Sequence, residues 1–446
     1  HNMKKVFAFI ALSYFIFFFL LPPFQTPDEQ AHFEVIYWTS YFQYPKLTME
    51  PTTHIQPGES LQEPFAEVVQ HTGIIPNFTA IKNSKMQKLV DYPKSEKQQF
   101  TPFAIQSYNP PIYYMIGSVF LQVARLFHTS ILTQFYVTRL TSGLFYFATI
   151  FVVYKTFLFL FKKEKMANSF TLLFGLNPLL MQSGIGISSD IAVVFFSAVF
   201  FYLTAKLELS FKSVVLLGLV AGLACLSRAT GLILIPGFIV YLFFQEKDKK
   251  LFLKYALLFG SIFLLIQVPW FLLNFIRYHT PVMAIPAFGA AISQGIYVSL
   301  PEAILLTVWN LRHVYMHFSG FLGWNEAFPF PPIFITYTVI FILFSSIGIF
   351  YLWRNNKNKL MITSTIFLFL LFFILDVGRK IHSHQAWETG GRDALLIYLP
   401  LLLFTIKGFS VVLKKKTEQI AIYFGYFAIW YYYFILIFVL IPRYYV

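Results

Sequence analysis

The chain has 446 residues, 57% of them hydrophobic and 20% aromatic but only 12% charged, against about 25% in a typical soluble domain. So apolar a composition leaves too few polar residues to cover a water-exposed surface, and it equally excludes a disordered chain. One cysteine, Cys225, excludes a disulfide framework and a cysteine-based zinc centre, while 34 basic against 20 acidic residues give a net charge of +14.

His1 and Asn2 precede Met3, the expected initiator, and Met3-Lys4-Lys5 leads into an apolar stretch over 6–21. No small-residue cleavage site follows, so the stretch reads as a first spanning helix with its N-terminus in the cytoplasm. A spanning helix needs about 20 mostly apolar residues. Ten further segments qualify or nearly so: 136–161, 167–184, 190–206, 213–228, 231–245, 251–275, 332–353, 360–377, 394–413 and 419–441. The expected fold is therefore an all-α polytopic membrane protein of about eleven spans, with residues 1–446 forming one transmembrane domain.

Charge decides where the segment 110–127 goes. Placed at the interface rather than across the bilayer, it leaves every short basic loop on one side. Those loops carry Lys4, Lys5, Lys162, Lys163, Lys165, Lys206, Lys212, Lys247, Lys249, Lys250, Arg354, Lys357, Lys359 and Lys414 to Lys416. The short loops opposite carry only Arg228, Arg379, Lys380 and Arg392. Sixteen against four is a strong positive-inside bias, so the basic balance sets topology and calls for no nucleic-acid partner. Two long segments then lie outside. The first outer loop is 22–135, with juxtamembrane helices and a polar middle over 45–107. The second is 276–331, in which 300–318 has the pattern of an amphipathic helix at the interface.

Cytoplasmic loops are short and mostly carry lysine, so chemistry is expected on the outer face. Four constellations stand there. Pro27-Asp28-Glu29-Gln30-Ala31-His32-Phe33 follows the first helix. Its acids read either as a helix cap with a solvated acid pair or as functional carboxylates, and Asp28 and His32 share a helical face. Tyr108-Asn109-Pro110-Pro111-Ile112-Tyr113-Tyr114 opens the interfacial segment with a rigid helix start. Ser188-Ser189-Asp190 has the form of an N-cap. Gly390-Gly391-Arg392-Asp393 places an arginine at the membrane edge, as does Arg228; both read as phosphate grips or as snorkelling side chains. The histidine pairs His313/His317 and His382/His384 lack an acidic third ligand at helical spacing and read as interfacial rather than metal sites.

The first constellation resembles the P-D-E-x-x-H-F motif of a bacterial membrane family grouped with the GT-C glycosyltransferases. Asn109-Pro110-Pro111-Ile112-Tyr113-Tyr114 resembles that family's H-P-P-L-Y-Y segment. Asn177-Pro178 with Ser189-Asp190 is similar to its N-P…D element, and Gly391-Arg392 with Pro400 to its G-R-Y…P element. Asn109 stands where the family has His, or Lys in related aminoarabinose transferases, and Asp393 stands where it has an aromatic residue. The resemblance implies an extracytoplasmic active site in a bacterial plasma membrane, moving a sugar from a polyprenyl-phosphate carrier to an acceptor glycan, cell-wall polymer, lipid or protein. It implies Arg228 and Arg392, with Arg379 or Arg139, on the lipid phosphate, and His32, Tyr108 and Asn109 on the substrate. Asp28 would be the base, while Glu29 or Asp190 would orient the acceptor or hold a divalent cation such as Mg or Mn. A lipid-linked sugar transporter or flippase is the alternative, but it would place its charges mid-helix, where this chain has almost none.

Overall fold

The computed structural model describes residues 2–42, 109–279, 299–318, 331–354, 359–383 and 391–442. The polar middle of the first outer loop and Tyr108 lie outside the described residues, and so do His384, Ser95 and Asn356. Every regular element described is helical. In order they are α1 (Asn2–Leu20), α2 (Glu29–Thr39), α3 (Ile112–Leu126), α4 (Ile131–Phe161), α5 (Glu164–Gly175), α6 (Pro178–Ile185), α7 (Asp190–Lys206) and α8 (Phe211–Ser227). A 3-10 turn (Ala229–Ile233) leads to α9 (Leu234–Gln245), α10 (Lys249–Tyr278), α11 (Leu300–Phe318), α12 (Pro331–Arg354) and α13 (Lys359–Ser383). A second 3-10 segment (Gly391–Ile397) precedes α14 (Tyr398–Val412) and α15 (Thr417–Ile435).

Six stretches among the described residues are long and apolar enough to cross a membrane: Met3–Leu20, Ile131–Phe161, Lys249–Arg277, Ile335–Arg354, Ala394–Val412 and Thr417–Leu440. The pair α6 and α7 makes a seventh if counted as one span, although it is bent by 118°. The expectation of a continuous span over 167–184 is corrected here. Asn177 accepts a hydrogen bond from Leu180 N at 3.1 Å and Pro178 follows at the first helical position, so one helix stops and another starts. The amide of Asn177 also donates to Phe318 O at 2.8 Å and to Tyr398 OH at 3.1 Å, fixing the break against α11 and α14. The expected span 231–245 likewise begins as a 3-10 turn, and its α-helix runs over only 12 residues.

Aromatic side chains dominate the core. Tyr14, Tyr146 and Tyr432 are buried, and each hydroxyl is spent on a backbone carbonyl: Gly184 O at 3.0 Å, Gly175 O at 2.6 Å and Ser13 O at 2.8 Å. These bonds tie α1 to α6, α4 to α5 and α15 to α1, as burial of a phenol demands. Helices α12 and α14 cross at contact distance. A Cβ on Gly348 would lie 1.9 Å from Phe404 O, and one on Gly408 would lie 1.9 Å from Phe344 O. Small residues let the two backbones meet, and Phe344 and Phe409 stack across the crossing with ring centroids 3.6 Å apart.

The two ends of the bundle differ in chemistry. At one end Lys163, at the α4–α5 corner, pairs with Glu418 at the start of α15. That end carries the lysine-rich corners at 162–165 and 414–416. The other end gathers the loop after α1, the start of α4, the α6–α7 turn, the end of α8 and the segment before α14.

Candidate active site

Helix α1 ends at Leu20 and leaves backbone carbonyls without helical partners. Arg139, one turn-pair into α4, supplies them. Its Nη1 donates to Leu21 O at 2.7 Å and its Nη2 to Pro22 O at 2.8 Å. The same guanidinium grips Glu29 in two-pronged fashion, Nε to Oε1 at 2.7 Å and Nη2 to Oε2 at 2.9 Å. Glu29 Oε1 also accepts from Ile187 N at 3.1 Å. Both side chains are fully buried. One ion pair thus joins the end of α1, the start of α2, the body of α4 and the α6–α7 turn. Arg139, expected as a possible phosphate contact, is instead fully engaged inside the protein.

Asp28 occupies the position before α2 with φ 61°, a left-handed conformation that Asp tolerates better than most residues. Its side chain makes no capping hydrogen bond to α2. The turn aims the carboxylate across to the far end of the chain, where Arg392 Nη2 lies 2.5 Å from Asp28 Oδ2. Arg392 Nη1 reaches Pro27 O at 3.4 Å, and its Nε lies 3.9 Å from Asp190 Oδ2. The other oxygen of Asp190 pairs with Arg228, which terminates α8. Ser188 donates to Asp190 Oδ2 at 2.9 Å and accepts from Asp190 N at 3.2 Å, while Ser188 N donates to Tyr113 OH at 2.9 Å. The result is an alternating row, Asp28, Arg392, Asp190, Arg228, whose members come from four distant parts of the chain. Asp28 and Arg392 keep 26% and 25% of their side chains exposed, whereas Asp190 keeps 2%. A small cleft beside the row is lined by Thr26, Pro27, Gln182, Ser188, Asp190 and Arg392.

Burial would raise the Asp28 carboxyl, but Arg392 foremost, helped by His32 and Arg228, holds it below the ordinary carboxylate range. Close approach of the two carboxylate-bearing turns depends on Gly186. A Cβ there would lie 2.2 Å from Thr26 Oγ1, inside any tolerable contact.

His32 sits one helical turn beyond Asp28 and is fully buried. Its Nδ1 is 2.8 Å from Tyr114 OH, and its ring stacks on that tyrosine. Asn109 Nδ2 donates to the same hydroxyl at 3.2 Å. Burial pushes the imidazole down to about 3 against the pull of Asp28 and Asp190, so it is neutral at pH 7.

Of the residues expected in a site, the fold brings together Asp28, Asp190, Arg228 and Arg392, with His32 and Asn109 behind them. Glu29 is turned away from its neighbour and closed within the Arg139 pair. Arg379 lies in α13, outside the residues whose side chains are described, as does the side chain of His313. His317 is buried in α11. Among the described residues no group of three or more His, Cys, Asp or Glu is placed to hold a metal ion. Asp190, expected as a possible cation ligand, has its carboxylate occupied by Arg228 and Ser188. The partnership of Glu29 with Arg139 had one sequence signal, an arginine inside an otherwise apolar helix.

The family described as "Predicted membrane protein (DUF2142)" matches residues 11–386. The chain belongs to this family. The match spans Asp28, Asp190 and Arg228 of the DUF2142 protein but stops short of Arg392. No curated protein matches the sequence. Among solved structures, ArnT from Cupriavidus metallidurans in the apo state is similar with a TM-score of 0.40 and 15% identity over 68% of this chain and 49% of that one. The Archaeoglobus fulgidus oligosaccharyltransferase is similar with a TM-score of 0.39 and 15% identity over 71% of this chain and 44% of that one. The DUF2142 protein therefore spans about half the length of either structure.

Proposed function

We propose that this protein is a membrane-embedded glycosyltransferase of the GT-C kind, taking a sugar from a polyprenyl-phosphate carrier and passing it to an acceptor glycan, lipid or protein on the extracytoplasmic face of a bacterial plasma membrane. The observation that carries the reading is the row of two carboxylates and two guanidiniums at one end of the bundle, half-open beside a cleft. Transfer makes a bond from an acceptor oxygen to the anomeric carbon and breaks the bond from that carbon to the carrier phosphate. The electron pair leaves on the phosphate, and the acceptor hydroxyl loses a proton. Arg392 and Arg228 are the groups for the first need, since a guanidinium binds phosphate by two parallel hydrogen bonds and stabilises the charge that develops. Asp28 is the group for the second.

The present pairing has a chemical consequence. While Arg392 holds Asp28, the carboxylate is a poor base. A phosphate that takes Arg392 for itself removes the group that chiefly depresses Asp28, and so turns it into a better proton acceptor. Donor binding and base activation are then one event. Asp190 keeps Arg228 oriented, and the Glu29–Arg139 pair holds the turn that carries Asp28; both act as positioning residues.

A divalent cation does not fit this donor set well. Magnesium and calcium want several oxygen ligands, whereas the two carboxylates here already satisfy arginines. No step is assigned to a metal.

The location of the charges speaks against the transporter reading. Asp28, Asp190, Arg228 and Arg392 all stand at helix ends rather than mid-helix, where a translocation pathway normally carries them. The test is transfer in membranes from a panel of defined polyprenyl-phosphate sugars, followed by product analysis in wild type and Asp28→Asn. Product in neither would end the glycosyltransferase reading for those donors, and carrier movement across the bilayer without product would favour the flippase. Cysteine labelling at positions 95 and 356 should report opposite sides of the membrane.

A further inference from the structure

His32 carries a second polar atom that the network around it leaves unused. The Tyr114 hydroxyl has one proton. Asn109 Nδ2 donates to this hydroxyl at 3.2 Å, and the same oxygen lies 2.8 Å from His32 Nδ1, within reach for the tyrosine to give its proton to the imidazole. A neutral imidazole that accepts at Nδ1 carries its hydrogen on Nε2. Nε2 is buried and has no hydrogen-bond partner among the described residues, in a side chain of zero exposure. An N–H left this way is costly unless something accepts from it. The ring lies among Asp28, Asp190, Arg228 and Arg392, all of which act on it electrostatically. Two arginines act on this place with positive charge, and a neutral donor near them adds direction without adding charge.

We propose that His32 Nε2–H is a hydrogen-bond donor to a phosphate oxygen of the lipid carrier, its tautomer fixed by Tyr114 and Asn109. This rests on the phosphate reading of Arg228 and Arg392. Access follows from the same event that reading requires, the parting of Asp28 from Arg392, because His32 stands one turn behind Asp28 on α2. The role differs from that of a base: a neutral imidazole whose Nδ1 is held by Tyr114 orients an oxygen and moves no proton. It also gives the Asn109 position a function at one remove, as the group that directs the tyrosine proton.

The test measures binding of undecaprenyl phosphate to the full chain in nanodiscs, so it needs no turnover and no knowledge of the sugar. The amide nitrogen of glutamine falls near the place of Nε2, and that of asparagine near the place of Nδ1. His32→Phe and His32→Asn should weaken binding by roughly tenfold to a hundredfold, as loss of a hydrogen bond to a charged group does, while His32→Gln should stay within about threefold of wild type. Tyr114→Phe, which frees the tautomer, should fall between. Wild-type affinity in His32→Phe together with a large loss in Arg392→Ala would overturn the proposal and leave the phosphate site standing. Wild-type affinity in both would remove the phosphate reading itself. Should the phenylalanine variant fail to fold, the glutamine and asparagine pair decides, and equal affinity in those two overturns the proposal.

Discussion

Asp28 and Arg392 stand 364 residues apart in the chain, and their side chains meet at 2.5 Å. The contact joins the first outer loop to the segment before α14, and it does so with the carboxylate proposed as base and the guanidinium proposed as phosphate ligand. Each group is held in reserve by the other. On the proposed reading the anionic donor exchanges with Asp28 at Arg392, one oxyanion for another, so the positive charge is never left uncompensated.

Asp28→Asn should lower transfer by about 10²–10⁴-fold, the usual worth of a general base, with folded protein recovered in normal yield. Losing the Arg392 ion pair lowers stability without preventing folding, because Asp28 makes no side-chain cap to lose and Asn also tolerates the left-handed backbone at φ 61°. Undecaprenyl phosphate binding should be retained or strengthened, since the substitution removes the carboxylate that competes with phosphate for Arg392. Weaker phosphate binding in Asp28→Asn would contradict the exchange.

Arg392→Ala should weaken use of the lipid-phosphate donor, and Arg392→Lys should recover only part of it, because an ammonium cannot match a two-pronged phosphate contact. Arg228→Ala should also weaken donor use, and it leaves Asp190 as a buried carboxylate that has lost its closest cation. Donor titration in each variant checks this, and unchanged donor dependence in both alanine variants would reduce the arginines to structural ion pairs.

Much of this was legible before any coordinates. Lysine placement separates the corners at 162–165 and 414–416 from the motifs that carry Asp28, Asp190, Arg228 and Arg392, because charge is read along the chain and needs no long-range geometry. The P-D-E-x-x-H-F stretch singled out the turn at which Asp28 meets Arg392. What it could not tell was which of two adjacent acids meets Arg392. That depends on Asp28 taking φ 61° and on Arg139, from another helix, capturing Glu29. Local spacing carries no record of a partner 110 residues away. The break at Asn177-Pro178 was visible as residues yet read through as a span, since apolar composition continues on both sides of it and outweighs a single cap in any average over a window.

Glu29→Gln should destabilise the protein by about 3–5 kcal/mol, because it strands the Arg139 charge in a dry interior. Thermal unfolding in detergent, followed by loss of monodisperse protein, measures it. Arg139→Gln should be at least as damaging, as it also abandons the carbonyls of Leu21 and Pro22. Combining Glu29→Gln with Arg139→Gln should cost less than the two separate losses together, the signature of a coupled pair.

Gly186→Ala should reduce transfer more than it reduces stability. Its added methyl would meet Thr26 Oγ1 at 2.2 Å and force the turn bearing Asp190 away from the loop bearing Asp28. Thr26→Ser, which removes the Thr26 methyl but not the hydroxyl, should rescue little; Thr26→Gly in the Gly186→Ala background should rescue more. Transfer assays on the three variants separate a steric cause from a general loss of fold.

Acid should destabilise the protein through His32. Its folded-state value is pushed down to about 3, below the ordinary histidine value of 6.5, so between these two pH values the unfolded chain binds a proton that the folded protein refuses. Stability therefore rises with pH across that window and is lost as pH falls through it, with the contribution of a neutral His32 complete above about 6.5. At pH 5 the loss from this one residue amounts to about 2 kcal/mol, from a pKa difference of about 1.5 units already traversed. Asp28 acts in the same direction lower down, because its carboxyl is held below 3.8 by Arg392 and loses that stabilisation only on protonation. His32→Gln cannot protonate, so its stability should fall less than that of wild type between pH 7 and pH 5, while the two should run parallel between pH 7 and pH 8. Melting temperatures of both proteins across that range provide the measurement. Parallel curves down to pH 5 would mean that His32 is reached by solvent protons in the folded state and is not the neutral, buried donor described above.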